Sequence, residues 1–516
     1  MSAAVTPPDA ELVEETTQLA VEEKGHLKKS LRRLDMVGFT VCALVGLDTL
    51  GTVAANGAQG FTWLILLALL FVLPYMLLMS EIGSSFTQEG GPYEWVKLAF
   101  GRLQGGIAAV LYWITNPLWV GGSLAFISTE AFSDNISTIT SGSAGDYLFK
   151  TLFIWLSIGV AIASLRRGKW IPNIGALLRI ILLGFFTITA IAYAIDHGVA
   201  GFPAGDLKPT GAVFLALVPL LLFNYVGFEL QNGAAEEMEN PARDVPLSVL
   251  RSGTIGVLLY AIPVLAIILV LPASKVTGIG GFLDAVATTF SVWGGAKTVL
   301  LDLMTVCFIG TLLTSGAVWM IGGDRILAVA AYDGAFPGYF GRFHPKLGTP
   351  VRVNVMSGIF STIFMVVAVA AFNGGSDSKF LVVLTIAIST TLISYLWIFP
   401  AAIKLRYNHG HVHRPYRVPG GTAGIWVATG LVTFWVALGS WVAVFPGTLE
   451  SLFGLEYDFR DTWGVSRATY TTLTLGTLAV IFAIALTGYG LSAATRRRTA
   501  VVPIDPGLAE QAAPAG

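Results

Sequence analysis

Twelve apolar runs, each near the roughly 20 residues that an α-helix needs to cross a bilayer, dominate this 516-residue chain. They lie near residues 36–56, 62–84, 104–131, 147–165, 171–195, 212–236, 247–271, 297–322, 352–372, 380–404, 422–445 and 468–491. Backbone N–H and C=O groups in hydrocarbon must pair within their own segment, so these runs are expected as helices. Charged residues make up 12% of the chain, about half the share in soluble domains. A large soluble enzyme is excluded. So is a nucleic-acid binder, which would show a basic face. The fold class predicted is an all-α polytopic membrane protein with twelve transmembrane helices, and its first partner is the lipid bilayer.

Lys and Arg give the expected orientation. With the N-terminus inside, 23 of the 31 basic residues fall in cytosolic segments and seven in external ones. N- and C-termini are therefore expected in the cytoplasm, in a multi-pass protein of the cell membrane. The remaining cation, Arg179, falls in the middle of the fifth run, where a charge is costly and signals function by default. The Ala/Glu-rich N-terminus has no signal-peptide pattern. Residues 1–33 and 496–516 are expected as disordered tails. Cys42 and Cys307 lie inside apolar runs, so no disulfide framework is expected.

Two runs are interrupted. The first carries Gly46-Leu47-Asp48-Thr49-Leu50-Gly51, and the sixth carries Asn224-Tyr225-Val226-Gly227-Phe228-Glu229. Each joins a glycine to an acid at membrane depth, and the two begin matching blocks of five spans. Because five is odd, the second block must be inverted relative to the first. Paired interruptions in two halves point to a substrate site at the repeat interface. The layout expected is repeat one over 34–195, repeat two over 196–410, and two further helices within 411–495.

Four segments carry a family resemblance. Glu81 with Gly90-Gly91-Pro92-Tyr93-Glu94-Trp95 follows span two. Gly227-Phe228-Glu229 leads to Ala235-Glu236-Glu237-Met238 and Asn240-Pro241-Ala242-Arg243-Asp244-Val245-Pro246. Arg325-Ile326-Leu327 leads to Asp333-Gly334 and Pro337, and Arg414-Pro415-Tyr416-Arg417-Val418-Pro419-Gly420-Gly421 comes last. In this order and spacing they resemble the amino acid/polyamine/organocation (APC) permeases. The resemblance implies a secondary transporter with a 5+5 inverted repeat, broken helices 1 and 6, and alternating access. It also implies amino acids, polyamines or related amines as substrates, moved with H+ or by exchange.

In that family a substrate carboxylate is held by backbone N–H groups at a Gly-Ser-Gly-like break. Here Leu47, Asp48 and Thr49 stand there, flanked by Gly46 and Gly51. A carboxylate at Asp48 repels a substrate carboxylate and attracts an amine. Its other reading is structural, as a partner for Arg179 or a cap on the half-helix after the break. Glu229 matches a position linked in the family to proton sensing or gating; the alternative is a neutral Glu bonded to broken backbone. Arg179 matches a family Lys that stands where sodium binds in Na+-coupled relatives. As a group that effectively keeps its proton, it would make Na+ coupling unnecessary, or else simply bridge helices. Phe223 matches an aromatic gate and offers a face to an organic cation. Tyr225 and Gly227 share that break.

Asn116, Thr314, Ser315 and Ser394 either line the pathway or join helices by hydrogen bonds. His409, His411 and His413 are read as a solvated loop, with neither metal nor cofactor expected. Asn135-Ile136-Ser137 fits a glycosylation triplet that arises often by chance. The substrate-binding set expected is Gly46, Asp48, Thr49, Gly51, Asn116, Phe223, Tyr225 and Gly227. Asp48, Arg179 and Glu229 are expected to couple or gate, with H+ as coupling ion. A polyamine- or GABA-type carrier, an exchanger, a channel and a membrane-embedded nutrient sensor stand as alternatives. An enzyme is not expected: all six histidines fall outside the runs or at their edges, with no zinc-binding H-E-x-x-H pair.

Overall fold

The computed structural model describes residues 13–25, 29–167, 170–272, 275–276, 281–371 and 376–503. Among these, eleven helices are long and apolar enough to cross a membrane. They correspond to eleven of the twelve runs. The third, Arg102–Asn135, buries all of its apolar window, whereas Arg467–Leu491 buries only 28% of its own. The third span is thus the axis of the bundle and the last one lies at its rim.

The sixth run differs. Its helix Gly211–Asn224 has 14 residues, about 21 Å at 1.5 Å per residue, which is too short for a ~30 Å core. Tyr225 leaves helical geometry, Gly227 has φ +123°, and a 3₁₀ segment, Leu230–Glu237, follows. A side chain at Gly227 would be strained there, and its Cβ would lie 3.1 Å from the Trp319 ring. The first run breaks similarly. Arg33–Leu44 is helical, Val45 leaves the helix and Gly46 is extended, Leu47–Thr49 forms one 3₁₀ turn, and Leu50–Ala55 resumes the helix.

Two wide π turns mark the neighbouring spans, at Ala68–Val72 before Pro74 and at Val120–Leu124 after Pro117. Proline removes an i→i−4 bond, and such local widening accommodates the loss. At the second turn Gly121 is required by crowding, because a Cβ would stand 2.2 Å from the Ser361 carbonyl oxygen.

Within the two tail segments some residues take regular structure. Val13–Thr17 pairs antiparallel with Thr499–Pro503, and Gln18–Lys24 is helical. Thr16 donates to Asp333 at 2.7 Å and Thr17 to the Tyr332 carbonyl, while Arg496 donates to the Gly334 carbonyl at 2.8 Å. Polar tail composition suggests no core of its own, yet each tail supplies the pairing edge and donors that the other and the 332–334 turn complete. Residues 1–12 and 504–516, with Lys28 and Lys169, lie outside the described residues.

Candidate substrate site at the paired helix breaks

A helix that stops inside a membrane leaves its last carbonyls without intrahelical donors. The helix ending at Leu44 has them satisfied one by one. Ser315 donates to the Cys42 carbonyl at 3.4 Å, Trp319 to Ala43 at 2.9 Å, Tyr260 to Leu44 at 2.9 Å, and Arg179 to Val45 at 2.8 Å. Tyr260 also receives the Gly46 N–H at 2.8 Å. The break is held open by side chains from the fifth, seventh and eighth spans.

Arg179 is fully buried. Besides Val45 it donates to the carbonyls of Gly175 and Thr311, each at 2.7 Å, and to Thr314, Ser315 and the Cys42 sulfur. Among the described residues it makes no ion pair. It therefore does not bond to Asp48, one of the two structural readings of that acid. It stands instead as a fixed cation at the negative end of the broken helix, which such a charge stabilises. Thr314 and Ser315 serve Arg179.

Asp48 is 2% exposed. Trp119 donates its indole N–H to Asp48 Oδ2 at 2.9 Å. Trp119 packs edge-on to Phe223 at 5.7 Å and to Trp319 at 6.1 Å. With Tyr260, Asn224, Gly46 and the Ala43–Leu44 helix end, these residues enclose a cavity of about 10 Å³, room for roughly one water. The amide Nδ2 of Asn224 is buried there without a hydrogen-bond partner. The chamber thus combines one carboxylate with four aromatic rings, a combination that suits a cationic amine through charge pairing and cation–π attraction.

Of the expected binding residues, Gly46, Asp48 and Phe223 line this cavity. Thr49 turns back toward the Gly46 carbonyl at 3.5 Å, and Gly51 packs against Gly281. Tyr225 donates to the Leu64 carbonyl at 3.1 Å. Asn116 donates to the Trp319 carbonyl at 2.9 Å, behind the chamber wall. Ser394 bonds within its own helix, to the Thr391 carbonyl. Trp119, Trp319 and Tyr260 are additions: in a chain rich in membrane aromatics, nothing local distinguishes them from packing residues.

Glu229 forms a second constellation. Tyr112 and Tyr395 donate to its Oε1 at 2.6 and 2.5 Å, and Tyr75 donates to Oε2. Tyr75 also lies 3.2 Å from the Tyr395 hydroxyl and accepts the Gly227 N–H at 3.3 Å. The carboxyl is wholly buried, caged by hydroxyls from three spans, and connected to the second break. A hydroxyl can donate or accept, so this cage can hold the carboxyl with or without its proton by rotating O–H bonds.

A further buried acid adds to the three membrane-depth charges expected. Asp324, within the spanning helix that ends at Tyr332, accepts from Trp113 at 3.0 Å, Ser357 at 2.6 Å and Asn354 at 2.5 Å. Its neighbour Arg325 belongs to the face that carries the tails. There the separate sequence signatures meet in three ionic clusters. Arg325 bonds Glu89 at 2.5 Å and Glu237 at 3.0 Å. Glu81 receives Arg406 at 2.9 Å, Arg414 at 3.5 Å and the Val418 N–H at 2.7 Å. Asp333 receives Lys97 and Arg102, each at 3.2 Å, and Tyr93 at 2.6 Å. Burial raises Asp333, but Lys97 and Arg102 outweigh it and hold the carboxyl below the ordinary range. Burial, with Glu237 and Glu236 alongside, pushes Glu89 up to about 8 against the pull of Arg325.

Paired broken helices around a small central chamber, with ionic clusters on one face, define a membrane permease. The chain belongs to the amino acid permease family, whose pattern matches residues 31–452. It is 28% identical over 81% of its length to a probable agmatine/putrescine antiporter of Lactococcus lactis, covering 88% of that protein. It is also 28% identical over 79% of its length to an uncharacterized transporter of Legionella pneumophila, covering 88% of it. A branched-chain amino acid permease of Bacillus subtilis is 24% identical over 85% of this chain and 94% of its own.

Proposed function

We propose that this permease carries a small amine, or an amino acid recognised through its amino group, by alternating access. The observation that carries this reading is Asp48 inside the ring of Trp119, Phe223, Trp319 and Tyr260. A substrate carboxylate would meet Asp48 head-on, whereas an ammonium or guanidinium would find a counter-ion and aromatic faces. The chamber has room for about one water, so loading requires the Trp119, Phe223 and Trp319 rings to part. The tail-bearing face is cytoplasmic in this reading, and the protein resides in the cell membrane.

Asp48 also bears on coupling. A buried carboxylate with one side-chain donor is costly to carry across a membrane uncompensated. The return step then takes either a second amine or a proton. Exchange is the second reading, favoured by the similarity to an antiporter named for agmatine and putrescine. Where a proton is the coupling ion, Glu229 in its tyrosine cage carries or senses it. Arg179, bonded at the first break, takes the place of a sodium ion.

Purified protein in liposomes, screened with labelled putrescine, agmatine, GABA, and basic and neutral amino acids, tests this reading. Saturable uptake of an amine is expected, with trans-stimulation if exchange operates. Uptake of neutral amino acids alone would overturn the amine assignment, and ion currents without saturable uptake would overturn a carrier.

A further inference from the structure

A second cavity lies on the face opposite the tails. It measures about 130 Å³; a buried cavity of about 150 Å³ is enough to hold benzene. Its floor is formed by Thr52 and Asn56 of the half-helix after the first break, together with the half-helix before the second. Its roof is the connection between the last two spans, carrying Glu450, Tyr457 and Trp463.

Glu450 is 4% exposed, and its Oε2 is buried without a hydrogen-bond partner. Among the described residues no cation lies within ion-pair distance of it. The nearby Arg467 guanidinium instead stacks over Phe459 at 5.1 Å. Leaving a carboxylate in such a place is costly unless something positive joins it. Around it stand Tyr457 and Trp463, fixed to each other by an indole N–H donated to the phenol oxygen at 2.5 Å. An acid beside two aromatic rings repeats the chemistry of the central chamber.

The two cavities are also in line. Thr52 is four residues beyond Asp48, and Pro219, another lining residue, is four before Phe223. The Pro219–Phe223 interval, inside one helix, is about one helical turn, or roughly 5 Å of rise. Phe223 belongs to the wall of the inner cavity alone.

We propose that this cavity is a staging subsite that binds the cationic amine, through Glu450 and the Tyr457–Trp463 pair, before Phe223 yields and it passes to Asp48. The proposal rests on the amine reading of the central chamber. Its consequence is one-sided. A staging subsite raises capture from its own face and leaves first binding from the other unchanged.

The test compares labelled putrescine uptake into right-side-out and inside-out vesicles for wild type, Glu450→Gln and Trp463→Phe. For Glu450→Gln, KM from the face opposite the tails should rise about tenfold, the effect of losing one charged contact. Maximal rate from that face, and KM from the tail-bearing face, should stay within about twofold. Maximal rate from the tail-bearing face should fall in proportion, because Vmax/KM in the two directions is tied by detailed balance. Trp463→Phe, which keeps the fold's apolar packing, should move the same KM in the same direction by less. An unchanged KM, or one raised equally from both faces, would overturn the subsite. If wild type carries putrescine and Glu450→Gln is silent, only the subsite falls. If wild type carries no amine, the amine reading fails and takes the subsite with it.

Discussion

Trp119 and Asp48 are 71 residues apart, and the indole N–H of one meets the carboxylate of the other at 2.9 Å. That bond fixes both the acid and the ring that faces Phe223 and Trp319. Asp48→Asn removes the charge and keeps the size. Amine KM should rise about tenfold or more, as expected for loss of a charge-assisted contact. Concentration-dependent uptake measures this, and wild-type KM would remove Asp48 from the amine site.

Glu229→Gln should uncouple rather than unfold. An amide can both donate to and accept from the three tyrosines that cage the carboxyl, so the break stays supported. Uptake driven by an imposed pH gradient should fall about tenfold or more if a proton passes through this group, while amine–amine exchange survives. Equal loss of both modes would assign Glu229 to structure alone.

Arg179→Met leaves the Val45 carbonyl at the helix end without its donor, while the Gly175 and Thr311 carbonyls, inside continuous helices, lose only an additional one. Unsatisfied buried polar groups cost about 1–3 kcal/mol each, so thermal unfolding in detergent should shift down clearly. Arg179→Lys, with fewer donors and no planar fork, should fall between. In wild type, replacing external Na+ by choline should leave uptake intact. Loss of uptake would overturn the view of Arg179 as a resident cation.

Closure of the tail-bearing face should depend on pH. Glu89 is raised to about 8 when buried beside Glu237, whereas a solvated glutamate titrates near 4.3. The closed network therefore binds a proton that the open one releases. Its contribution to closure is full below the solvated value and fades as pH rises through about 8. A cysteine placed beneath this network should react with a membrane-impermeant thiol reagent relatively faster at pH 9 than at pH 6, once its rate is divided by that of a freely exposed cysteine to remove the thiolate's own pH dependence. The opposite trend would reverse the assignment.

Much of this architecture is legible in residue order. Apolar runs with few charges must become spanning helices, because hydrocarbon offers the backbone no other partner. Asp48 and Glu229 stand out for the same reason: an acid inside such a run is expensive. The sixth span's break could be read from Gly227, and the structure shows why a glycine is needed there, at φ +123° against the Trp319 ring. The tails were less legible. Strand pairing between Val13–Thr17 and Thr499–Pro503 depends on two segments nearly 500 residues apart, neither of which could form alone.

The sequence by itself determined that this protein is a bundle of spanning helices, where its two breaks fall, and three of the charges the membrane must accommodate; Asp324 emerged only from the structure. Only the tertiary structure decided what those charges face. Arg179 meets carbonyls rather than Asp48, Asp48 meets an indole, and Glu229 meets three phenols. The reason is physical. Hydrophobicity is a local property that can be summed along a chain, whereas a buried polar group is satisfied by donors from whichever helices pack beside it. Trp119, Trp319 and Tyr260 look like any other membrane aromatics until the bundle closes around the breaks and gives each N–H or O–H a partner.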